Sequence, residues 1–174
     1  QWAQGRRSFE AGGYKDAAAG YAHAIEIWKS LWPEPPLLRG LGPRPTLPVA
    51  LADLGGAQLL AGDTAAAIRT LDTSIKADAL NPHALYVRGR AKEIAGQGEA
   101  ALADFNLASR TAFAATQDLA SGEAHLYRGI VFYRRKDFTS AEDEFASALN
   151  FEILPALRAD ATALDLRLLF AATR

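Results

Sequence analysis

Small and large apolar residues return along this chain in a fixed order. An alanine (Ala17, Ala67, Ala101, Ala141) is followed four residues later by a large apolar side chain (Tyr21, Leu71, Phe105, Phe145), and three after that by a small residue (Ala24, Ser74, Ala108, Ala148). Offsets of four and three put all three on one face of a helix, with a shallow surface that a second helix can approach. Twelve residues before each alanine stands a glycine: Gly5, Gly55, Gly89 and Gly129. Glycine inside a helix costs about 1 kcal/mol relative to alanine. Four at equivalent places predict helices so close that a side chain would collide. Between glycine and alanine lie Gly12 and Gly13, Gly62 and Asp63, Gly96 to Gly98, and Lys136 and Asp137, residue types that tolerate the positive φ of a turn. The pattern therefore predicts four helix-turn-helix units, over about residues 2–32, 47–81, 82–120 and 122–154.

The anchor alanines are separated by 50, 34 and 40 residues, so 34 is the bare unit. The longest gap is filled by WPEPPLLRGLGPRPTLPVA, which holds six of the eight prolines. It predicts a proline-rich insertion at 33–46. The helix before it carries Tyr21, Ile25, Trp28 and Trp32 on one stripe and is expected to run about a turn long before Pro33 stops it. Leu37, Leu38 and Leu41 are expected to fold back onto that stripe, the alternative being a lid. The third unit is expected to have a longer second helix ending near SRTAFAATQDLASG, with Gly122 as its stop. After Pro155, a helix over 156–173 presents Leu157, Ala161, Leu164 and Leu168, with Leu166, Leu169 and Phe170 on a second stripe. That is more apolar surface than a terminal cap requires. It points to further repeats, or to a partner that could be a second copy of the chain.

The arrangement resembles the tetratricopeptide repeat (TPR) family. Leu54-Gly55 reproduces that family's Leu-Gly pair, and Tyr14 and Phe138 its aromatic after the turn. Arg88 and Arg128 replace the leucine in two units, and Pro82 and Pro155 come late for the family's proline. The resemblance covers about residues 2 to 154. It implies an all-α fold, a right-handed superhelix or α-solenoid, whose first helices line a concave groove for an extended peptide or a helix. The groove set it implies includes Trp2, Arg6 and Phe9, Ala52 and Leu59, His83, Tyr86, Arg90 and Glu93, then Leu126, Ile130 and Tyr133. Tyr86 and Tyr133 could equally pack between units. The carboxylate clamp that holds chaperone tails in some members is missing. Its positions fall here on Trp2, Arg6, Asp53, His83 and Val87, or one unit on at Ala52, Gly56, Val87, Glu123 and Tyr127. Asp53 or Glu123 would repel a carboxylate.

Composition narrows the partners. Nineteen basic and twenty acidic side chains give a net charge of -1, with no segment of five or six like charges in a row, which argues against nucleic acid and anionic membrane. No cysteine is present, so disulfides and thiolate chemistry are excluded. No apolar stretch is long enough to span a membrane. The chain opens on Gln1, which implies an upstream piece and leaves the compartment open. His23, His83 and His125 have no metal-ligand spacing, and NPHA at 81–84 reads as a helix start with Asn81 as cap. Neither GLG at 40–42 nor GG at 55–56 has the flanks of a phosphate loop, and packing is expected to explain the second. No serine has an evident histidine and carboxylate partner. The expectation is a non-catalytic scaffold without cofactor or metal, with self-association as the alternative.

Overall fold

The computed structural model describes residues 1–30, 46–115 and 122–150. The insertion, the end of the long second helix in the third unit and the C-terminal helix fall outside these residues. Among the described residues every regular element is a helix: α1 Trp2–Glu10, α2 Tyr14–Ser30, α3 Leu47–Leu60, α4 Thr64–Ala77, α5 Pro82–Ile94, α6 Gly98–Ala115, α7 Gly122–Arg134 and α8 Phe138–Asn150. The chain gathers into two compact units, Gln1–Ala95 and Gly96–Arg174. In the first, α1 packs on α2, α2 on α3 and α3 on α4, and α5 lies against both α3 and α4. In the second, α7 packs against α6 and α8.

The repeat pattern is the core. Ala17, Ala67 and Ala141 are 0% exposed and Ala101 2%, and the large residues that follow are at most 4% exposed. The glycines explain how helices come this near. A Cβ on Gly55 would lie 2.6 Å from Leu71 Cγ, one on Gly129 2.5 Å from Phe145 Cε1, and one on Gly5 2.9 Å from Tyr21 Cδ1. In each pair the glycine of the first helix makes room for the large residue sixteen positions later in the second. Gly20 adds a second close approach, since its Cβ would stand 3.0 Å from the Gly5 Cα. The size pattern does not flag Gly20. Of the small residues, Ser74 is fully buried and its hydroxyl donates to the Pro48 carbonyl at 2.7 Å, so its polarity is satisfied inside the α3–α4 contact.

The turns share one construction. After α1, Gly12 N–H donates to the Phe9 carbonyl and Gly13 N–H to that of Ser8. After α3, Gly62 bonds Leu59 and Asp63 bonds Gln58, and after α7, Lys136 bonds Tyr133 and Asp137 bonds Phe132. These are Schellman closures, which need one residue in the left-handed region. That residue is Gly12, Gly62, Gly96 or Lys136, always five before the anchor alanine. Their neighbours Gly13, Asp63 and Asp137 do not have positive φ. The aspartates instead start the next helix, Asp63 accepting from Ala66 N–H at 3.0 Å and Asp137 from Ser140 N–H at 3.2 Å. Asn81 caps α5 in the same way, accepting from Ala84 N–H at 3.1 Å with Pro82 at the first position, as the sequence predicts. Gly122 stands at the start of α7, and the residues before it, on which its expected role as a helix stop depends, lie outside the described ones.

Lys136 is the one non-glycine in this strained position, at φ 62°. A side-chain-bearing residue there costs roughly 1 to 2 kcal/mol, and glycine gives part of that back as chain entropy. Lys136→Gly is therefore expected to raise stability by about 0.5 to 1 kcal/mol. A urea midpoint that falls instead would show that the lysine side chain contributes more than its backbone strain removes.

Candidate interaction face

The first helices of successive units carry equivalent stripes. Val49, Asp53, Gly56 and Leu60 follow i, i+4, i+7, i+11 spacing along α3, and His83, Val87, Arg90 and Ile94 stand 34 residues later along α5. Both helices belong to the first compact unit, and they pack together. Val49 is 41% exposed and Ile94 62%, while Val87 is nearly covered.

Gly56 separates this face from the core. A Cβ on Gly55 would drive into Leu71, but a Cβ on Gly56 would meet nothing within 4 Å. Packing accounts for the first glycine of the pair and not for the second, which corrects the sequence expectation for GG. Gly56 thus carries the helix penalty of glycine with no contact among the described residues to explain it. It leaves a notch one side chain deep in the middle of α3.

The residues implied as groove-lining divide into three groups. Tyr86, Leu126 and Ile130 are 3%, 1% and 3% exposed, placed in the core and not on an open surface. Ala52 joins them at 1%. Trp2, Phe9 and Tyr133 are half-buried against their own units. Trp2 meets Tyr21 at a 42° tilt with ring centroids 4.5 Å apart, Phe9 meets Tyr14 edge-on at 5.4 Å, and Tyr133 meets Phe138 edge-on at 5.6 Å. The last two pairs straddle equivalent turns, three residues before the left-handed position and two after it. They clasp the turn. The third group is polar. Arg6 is exposed and bonds Glu10 at 3.2 Å, and Arg90 lies 3.6 Å from Glu93, each of that pair 24% exposed. Leu59 is half-buried, as is His83.

Three further polar contacts tie helices together. Arg88 donates to Asp72 at 2.8 Å, joining α5 to α4. Glu144 of α8 receives Arg128 on Oε1 and sits 2.9 Å from His125 Nδ1 on Oε2, with His125 and Glu144 each 13% exposed. Arg88 and Arg128 thus each make an ion pair with a neighbouring helix. With Asp72 54% and Arg128 39% exposed, solvent screens these pairs and they add little stability. No group of three metal-ligating side chains occurs among the described residues. No described helix is long and apolar enough to cross a membrane.

Burial lowers the pKa of His83 below 6.5, because a charged ring withdrawn from water is penalised. The fold prefers the neutral ring, so in the window from 6.5 down to the lowered folded value the unfolded chain binds more protons. Stability from this residue is present above that window and declines as pH falls through it. Comparing urea midpoints at pH about 7.5 and about 5.5, His83→Gln is expected to lose less stability on acidification than the parent chain; an equal loss would remove His83 from the pH dependence.

No family model matches the chain, and no curated protein matches it. Among solved structures, the chain is similar to one in the crystal structure of the APC/C hetero-tetramer Cut9-Hcn1, at 13% identity and a TM-score of 0.42 over 95% of this chain. This chain spans 38% of the length of that one.

Proposed function

We propose that the chain is a non-catalytic protein-binding scaffold of the TPR kind, which takes an extended peptide or a helix of a partner protein along the partly exposed face of its first helices. The carrying observation is the notch at Gly56. A helix-weakening residue with no described residue above it suits a surface that another chain approaches closely, whereas an alanine there would strengthen α3 at no packing cost against the described residues. The notch lies among apolar Val49 and Leu60 and polar Asp53, with Arg90 and His83 on the adjoining helix. Such a mixture fits a peptide that inserts apolar side chains and fixes its register by hydrogen bonds. The binding set is accordingly Val49, Asp53, Gly56, Leu60, His83 and Arg90, with Glu93 holding Arg90. A chaperone-tail carboxylate is a poor ligand for it, since Asp53 stands at a position where the clamp has an asparagine.

Gly56→Leu tests this reading because it fills the notch without touching the core. The variant is expected to melt at or slightly above the parent temperature, by the removal of a helical glycine. Proteins retained on the immobilised parent chain, and on a variant carrying leucine at the exposed Ala19 of α2, should be lost from Gly56→Leu. Retention of the same set by all three would overturn the reading.

A further inference from the structure

We draw no further inference here: the strongest candidate, the notch at Gly56 on the exposed face of α3, belongs to the site already described, and nothing in the structure shows what covers it.

Discussion

Truncating Phe145 to alanine is expected to cost about 3 to 5 kcal/mol, and to reverse the effect of a second substitution at Gly129. Phe145 is 0% exposed, so its removal empties a site that the surrounding helices can close only in part. Gly129 lies under its ring: an added methyl would sit 2.5 Å from Cε1, 2.6 Å from Cδ1 and 3.2 Å from Glu144 Cβ. The ring is fully buried and must shift to admit the methyl. In the parent chain Gly129→Ala should therefore destabilise by about 1 to 3 kcal/mol, because overpacking outweighs the roughly 1 kcal/mol that alanine brings to a helix. In the Phe145→Ala background the obstruction is gone. There the same methyl should recover about 1 kcal/mol by its helix propensity, together with some of the lost packing. Urea midpoints of the four proteins measure the coupling directly. Costs that simply add would mean that Gly129 is not glycine on account of Phe145, and the account of the helix pair built on that contact would fail.

The glycine, the alanine and the large residue were legible in the sequence because they answer to size and to helical period, both of which survive in a bare string of letters. The turns were legible for a similar reason. A left-handed residue five before the anchor is glycine in three units, and Asp63 and Asp137 carry the oxygen that a helix start needs. The second role of these aspartates was missed, since the same residue types favour turns and caps alike.

The open surface was much less legible. Periodicity locates the middle of an apolar stripe but not its width, and a first helix that packs against two neighbours buries more than one stripe. Thus α5 lies on both α3 and α4, α7 lies between α6 and α8, and Tyr86, Leu126 and Ile130 go inside. Phe9 and Tyr133 could have been separated from the groove by one signal, an aromatic at five residues' distance across the turn, Tyr14 or Phe138. Gly56 could not. In the sequence it is the second half of a glycine pair, and only the position of Leu71 beneath one member and open space above the other tells them apart.

The anchor alanines supply the other large expected effect. Ala141 is 0% exposed in the first turn of α8, a helix that packs against α7. A ring placed there must push α8 away from α7 or adopt an unfavourable rotamer. Ala141→Phe is expected to cost about 1 to 3 kcal/mol, the range for inserting bulk into a filled core. Ala19 of α2 is exposed, and Ala19→Phe meets water instead of a helix. Its expected cost is no more than about 0.7 kcal/mol, the difference in helix propensity. Both variants should unfold in urea with the slope of the parent chain and differ in midpoint alone. Similar losses in the two would mean that bulk at the anchor position is accommodated as easily as on the surface. The recurring alanine would then be a matter of helix preference, and the four-fold pattern would lose its claim to set the distance between helices.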